Sequence, residues 1–204
     1  MTFVLFHGIF GGAVDNWFPF LRKGLEVVGE TVVIPAFPYT THEELTKNGP
    51  GSEIKQSLVS WMASYEEDLK DIHSSERLCF VGHSVGCLFI LHLISRWSLT
   101  LDSAFFIAPF LRPLGGQWYF DYVNKTFYKH DFDFRKLKAR IPTSYVLYSD
   151  DDPAVATKHS QEFARKLNSE EILVRGGKHF STKSGFIEFP LLLELCKSRI
   201  GRNP

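Results

Sequence analysis

Apolar residues in this chain follow two rhythms. Six short, nearly continuous apolar or β-branched runs lie at 2–6, 31–36, 77–82, 103–108, 143–149 and 171–175. Their length and flanking turn residues predict strands. Between most of them, apolar residues recur every three or four positions. The clearest case is 53–73, where Ile54, Leu58, Trp61, Tyr65, Leu69 and Ile72 share one helical face. Residues 17–28, 85–97, 155–168 and 186–199 read as further helices. The stretch 85–97 is apolar nearly all round, as a helix buried against a sheet would be. Strands alternating with helices predict an α/β fold: a parallel sheet of about six strands with helices on both faces. Strands buried on both sides read as unbroken apolar runs, as these do. Residues 40–52 are polar and contain Gly and Pro, which reads as a surface loop. Residues 109–134 form the longest stretch without a strand, a functional loop or small lid. With no repeat and no linker, one domain over residues 1–204 is expected.

Charge and composition narrow the function classes. Lys plus Arg equals Asp plus Glu, at 23 each in 204 residues. A basic stripe for nucleic acid or an acidic membrane surface is therefore not expected. The eight histidines show no metal-ligand spacing, and neither a metal nor an organic cofactor is expected. Cys79, Cys87 and Cys196 are an odd and sparse set, two of them within apolar runs where they read as buried free thiols, which fits a reducing compartment. The residues from Met1 read as a first strand rather than a signal peptide. No apolar run approaches the length that crosses a bilayer. A cytoplasmic location is expected.

The chemistry concentrates after the third strand, in Gly82-His83-Ser84-Val85-Gly86. Gly-x-Ser-x-Gly between a strand and a helix is a nucleophile elbow, in which a strained turn lifts the serine oxygen clear. Gly82 and Gly86 lack a Cβ, so strand and helix can approach on either side. Such a pentapeptide also suits an ordinary strand–turn–helix connection, but two further signals accompany it. Ser149-Asp150-Asp151-Asp152-Pro153 follows the fifth strand, and Gly176-Gly177-Lys178-His179-Phe180 follows the sixth. The chain order Ser, Asp, His is that of α/β-hydrolases.

Each group has a distinct role. Ser84 attacks a carbonyl carbon, and His179 takes its proton and later returns it to the leaving group. An aspartate fixes the imidazole tautomer. The backbone N–H of Val85 and one from the loop after the first strand would bind the oxyanion. Ile9 is the choice in that loop, with Phe10 second. Taken singly, the aspartates suit an acidic turn capping the next helix, and His179 suits an idle loop residue. Their conjunction, each after a strand, favours a triad. His83 is expected to shape the elbow and His7 to support the oxyanion loop. His42, His73, His92, His130 and His159 read as surface or packing residues.

Several segments together resemble the small α/β-hydrolase family of retinoblastoma-binding-protein-9-like and YdeN-like serine hydrolases. They are His7-Gly8-Ile9-Phe10-Gly11-Gly12, Asn16-Trp17-Phe18-Pro19-Phe20-Leu21 and Val33-Ile34-Pro35-Ala36-Phe37-Pro38. Val81 through Gly86, Ser149 through Pro153 and Gly177 through Phe180 complete the set. The resemblance implies a minimal hydrolase core that lacks the first two strands of the larger fold. Matching Ser-x-x-Asp-Pro places the triad acid at Asp152, with Asp151 as the fallback. Ala36 departs from the acidic residue usual in the family there. Leu193-Glu194-Leu195-Cys196 is not the Leu-x-Cys-x-Glu motif, so the retinoblastoma-protein partner is not carried over.

Aromatic residues bear on the substrate. Phe110, Trp118, Tyr119, Phe120, Tyr122, Phe127, Tyr128, Phe132 and Phe134, within the aromatic-rich 105–134 segment, and Phe10, Trp17 and Phe18 near the oxyanion loop are candidate pocket walls. The other explanation is that such aromatics cover the core. Without a large cap insertion, the site is expected to be open and to suit short acyl esters or small amides. The reading is a carboxylesterase or small-amide hydrolase acting on a small molecule. A non-catalytic binding protein on a hydrolase scaffold is the alternative, and acyl transfer to another acceptor is a third option.

Overall fold

Alternation within the strands decides how the sheet is covered. A computed structural model describes residues 1–69, 72, 77–129 and 131–201. Strands β1 (Thr2–Phe6), β2 (Thr31–Val33), β3 (Leu78–His83), β4 (Ser103–Ile107), β5 (Ser144–Ser149) and β6 (Glu170–Val174) form one sheet. Their order is β2-β1-β3-β4-β5-β6, and every pair is parallel. Successive side chains leave a strand on opposite faces. Val4, Phe6, Phe80, Phe106 and Val146 therefore meet one apolar cluster, while Phe3, Leu5, Val81, Phe105 and Leu147 meet the other.

The helices divide between these faces. On the first lie α3 (Leu58–Leu69), α4 (Val85–Trp97), α6 (Phe134–Arg140) and α7 (Thr157–Leu167). On the second lie α1 (Phe18–Glu26) and α8 (Pro190–Lys197). Residues 85–94 of α4 are all buried, which accounts for its all-round apolar sequence.

Four boundaries differ from the sequence reading. β2 stops at Val33 rather than 36, because Pro35 has no N–H for a ladder. The helix expected from 53 begins at Leu58. Ser57 Oγ accepts the Ser60 N–H at 3.0 Å and so caps α3. Gln56 is diverted to accept the Thr40 N–H at 2.7 Å. Ile54 thus lies in a loop, half-buried. Residues 70, 71 and 73 of that expected helix, like His130, lie outside the described residues. The expected 40–52 loop contains α2 (His42–Asn48), opened by a reciprocal capping box between Thr41 and Glu44. The 109–134 segment contains α5 (Trp118–Asn124) and the start of α6.

Candidate active site

The C-terminal ends of β1, β3, β5 and β6 converge, as parallel α/β sheets require of a ligand site. Residue 84 stands between β3 and α4 with φ 56° and ψ −122°. That region is costly for a non-glycine residue, by about 1–3 kcal/mol. The turn is over-determined by its neighbours. The Ser84 N–H donates to the Ile107 carbonyl at 2.8 Å, and the Ser84 carbonyl accepts from the Cys87 N–H at 3.0 Å. A Cβ on Gly86 would collide with the Phe6 carbonyl oxygen and lie 2.8 Å from that of His7. A Cβ on Gly82 would lie 2.8 Å from Ile90 Cδ1 and 2.9 Å from the Cys87 nitrogen. Both glycines are required by packing, so the serine alone carries the strain. Val85 opens α4, so its N–H belongs to the first-turn donors that have no acceptor within the helix.

Three consecutive aspartates meet the loop after β6 almost residue by residue. Asp150 Oδ1 accepts the Gly176 N–H at 3.0 Å. Asp151 Oδ1 accepts the Lys178 N–H at 2.8 Å and the Ser149 hydroxyl at 2.6 Å. These partners hold the Asp151 carboxyl below the usual carboxylate range, the Ser149 hydrogen bond foremost. Asp152 Oδ2 meets His179 Nδ1 at 2.8 Å. Its Oδ1 accepts the Ala154 and Val155 N–H groups at 2.8 and 2.9 Å. Asp152 is nearly buried and faces the imidazole, whereas Asp151 faces the backbone and the Lys178 ammonium.

Two other histidines frame the site. His83 is buried, and its Nε2–H donates to the His179 carbonyl at 2.9 Å. Burial, with the His179 ring beside it, pushes its pKa down to about 3. It therefore stays neutral and holds the His179 loop by its backbone. His7 is buried under the loop after β1. Its Nδ1–H donates to the Gly8 carbonyl at 2.8 Å, while its Nε2 accepts the Phe37 N–H at 3.3 Å. One donor and one acceptor satisfy the neutral ring, and burial lowers its pKa. His92 is tied into packing: its Nε2–H donates to the Phe127 carbonyl at 2.8 Å. His42 stacks edge-on with Phe10 and Tyr119 near the cavity. His159 is buried in α7, and His73 lies outside the described residues.

A cavity of ≈ 260 Å³ brings Ser84 and His179 together with Ile9 and Phe10. Among the described residues no hydrogen bond joins the Ser84 hydroxyl to His179, although both line this space. Of the aromatic residues expected around the substrate, Phe10 and Phe120 line the cavity. Trp17 and Phe18 are fully buried beneath it. Trp17 Nε1–H donates to the Phe180 carbonyl at 3.1 Å and so braces the His179 loop from behind. Phe18 stacks on Trp17 and faces the sheet. Phe110 is fully buried against Tyr128. Trp118 is 40% exposed and packs on Tyr119 and Tyr122, away from the cavity. These four were expected as walls and serve instead as core or surface.

The cavity also takes residues that sequence reasoning did not single out as pocket walls: Leu114 from the 109–134 segment, Asn124, Val155, Asn16 and Lys183. Asn16 had one legible signal, its place in the Asn-Trp-Phe-Pro segment. Its Oδ1 accepts the Thr182 N–H at 2.8 Å. Asn124 had none. The three cysteines are free and buried. Burial pushes their thiols up, Cys79 to about 12, which leaves them unsuited as nucleophiles. Among the described residues, no group of three or more His, Cys, Asp or Glu converges as a metal site. None of the described helices is long and apolar enough to cross a membrane.

An all-parallel six-stranded sheet, with a strained serine turn after its third strand, defines the α/β-hydrolase class. The chain belongs to the serine hydrolase family, whose model matches residues 52–198. It is similar to YdeN of Bacillus subtilis strain 168, at 24% identity over 95% of this chain and 93% of that one. The crystal structure of the ydeN gene product superposes with a TM-score of 0.81 and 22% identity, over 98% of this chain and 99% of that one. Serine hydrolase RBBP9 of Rattus norvegicus is 25% identical over 92% of this chain and 88% of its own length. An extracellular α/β-hydrolase from a Paenibacillus species shares the fold at a TM-score of 0.66 and 15% identity, over the whole of both chains.

Proposed function

We propose that this hydrolase cleaves short acyl esters or small amides through a Ser84–His179–Asp152 triad and an acyl-enzyme intermediate. One observation carries the reading: the 2.8 Å pair of His179 Nδ1 with Asp152, in a cavity that His179 shares with Ser84. With its proton held on Nδ1 by the carboxylate, the imidazole presents a bare Nε2. That nitrogen takes the Ser84 proton as Oγ bonds to the carbonyl carbon. The N–H groups of Val85 and Ile9 receive the developing oxyanion. The protonated imidazole then hands its proton to the departing alcohol or amine. Water repeats the sequence and frees the acid. Catalytic hydrogen bonds without substrate are often long, which accommodates the missing Ser84–His179 contact.

Fluorophosphonate labelling with mass spectrometry tests the reading, with Ser84→Ala as control. An adduct on Ser84 is expected, and Ser84→Ala should fold normally and lose ester turnover. No adduct on folded protein would favour a binding protein on a hydrolase scaffold.

A further inference from the structure

Asn124 ends α5 and is one of the residues that line the same cavity as Ser84 and His179. It is 1% exposed, and neither its amide nitrogen nor its amide oxygen has a hydrogen-bond partner among the described residues. Among the described residues, the Tyr128 hydroxyl is the one hydrogen-bonding neighbour of the Asn124 amide, outside normal hydrogen-bond geometry, and that hydroxyl donates its proton to Asp121 Oδ1 at 2.5 Å. Buried carboxamides without partners are destabilising and uncommon in native proteins.

The backbone around Asn124, by contrast, is firmly tied. Asp121 accepts the Leu114 and Gly115 N–H groups at 2.7 and 2.9 Å. The Tyr122 hydroxyl donates to the Ser52 carbonyl at 2.8 Å. The Asn124 carbonyl accepts the Phe127 N–H at 2.9 Å, and His92 holds the Phe127 carbonyl from α4. The segment thus fixes, in a residue of the cavity wall, a buried carboxamide that makes no hydrogen bond of normal geometry among the described residues.

We infer that Asn124 is a substrate-recognition residue that reads a neutral amide group of the substrate, in addition to the bond cleaved. The inference rests on the hydrolase reading of this cavity. A carboxamide offers one N–H face and one C=O face, and a second amide matches both reciprocally. Leu114, Phe120 and Val155 supply apolar walls to this cavity, and an uncharged carboxamide such as Asn124 pairs with a neutral amide without a counter-charge. A ligand without the amide leaves Asn124 unpaired, and sites built this way discriminate strongly against such analogues.

The test uses three methyl esters of matched length: N-acetylglycinate, levulinate, which replaces the amide N–H by methylene, and pentanoate, which lacks both polar groups. Turnover is followed by pH-stat for wild type, Asn124→Leu and Asn124→Asp, with thermal melts to check folding. In wild type kcat/KM should fall in that order, N-acetylglycinate exceeding pentanoate by about tenfold or more. Asn124→Leu should abolish that ratio, and Asn124→Asp should reduce it. In a Ser84→Ala background, NMR titration with methyl N-acetylglycinate should show binding weakened about tenfold by Asn124→Leu. Unchanged ratios and unchanged binding in folded variants would overturn the inference while leaving the triad reading intact. If no ester is cleaved and fluorophosphonate spares Ser84, the triad reading fails, and the titration alone decides the role of Asn124.

Discussion

Asp151 and Asp152 are chemically identical neighbours that the fold sends to different tasks. Asp152 meets His179, and Asp151 staples the backbone of the same loop. Asp152→Asn should therefore cut kcat by a factor on the order of 10³–10⁴, since an amide favours the wrong imidazole tautomer. Asp151→Asn should cost less than about tenfold, because it loosens the His179 loop without touching the ring. Steady-state kinetics of both variants on one ester checks the ranking, and the reverse order would transfer the acid role to Asp151. The strained conformation of Ser84 is another single-residue effect, held by its bonds to Ile107 and Cys87. Lys178 and Phe180, on either side of His179, also adopt positive φ, at 45° and 48°. Backbone strain thus falls on Ser84 itself and on the two neighbours of His179, where surrounding packing can sustain it.

At the scale of elements, the site depends on how closely α4 sits against the sheet. Its first turn passes over the end of β1, with only Gly86 between them. Gly86→Ala would force backbone against backbone, which no rotamer change relieves. We expect a loss of about 2–4 kcal/mol, or failure to fold, read from urea unfolding. A variant within about 0.5 kcal/mol of wild type would show that α4 can shift at no cost. The 109–134 segment is the second element on which the site depends. Its length and lack of a strand marked it as a functional loop or small lid, but its aromatic residues divide between core, surface and cavity. Phe110 and Phe127 are fully buried, and Phe120 and Asn124 reach the cavity.

For the whole molecule, buried neutral histidines set the response to acid. His7, His83 and His92 all have pKa values lowered by burial. A histidine depressed in the folded state leaves stability untouched above about pH 6.5, where both states are neutral. Below that, the unfolded chain binds protons that the native one refuses, so stability falls with pH. Each such residue contributes up to about 1.4 kcal/mol per pH unit. Unfolding midpoints should therefore drop steadily from pH 7 to pH 4. His92→Gln can keep a donor for the Phe127 carbonyl and cannot titrate, so its midpoint should drop less steeply. Parallel curves for the two proteins would remove His92 from this account.

Local sequence determined the parallel α/β architecture, because apolar runs at strand length and repeats at helical spacing need no distant partner to be recognised. It also marked Ser84, the aspartate run and His179, since each follows a strand and such ends converge in a parallel sheet. The Thr41–Glu44 capping box was equally legible, though its helix was read as loop. Spacing within the aspartate run left the partner of the imidazole open; the family resemblance pointed to Asp152, and the packed turn, which sets the angle between adjacent side chains, brings Asp152 to His179. Tertiary structure alone decided the fate of the aromatics. A ring beside a loop in sequence may face core, solvent or cavity, and Trp17, Trp118 and Phe10 took one course each. Asn124 is the extreme case: nothing local distinguishes it, and only the three-dimensional fold shows its amide buried without a hydrogen bond of normal geometry among the described residues, in a residue that lines the Ser84 cavity.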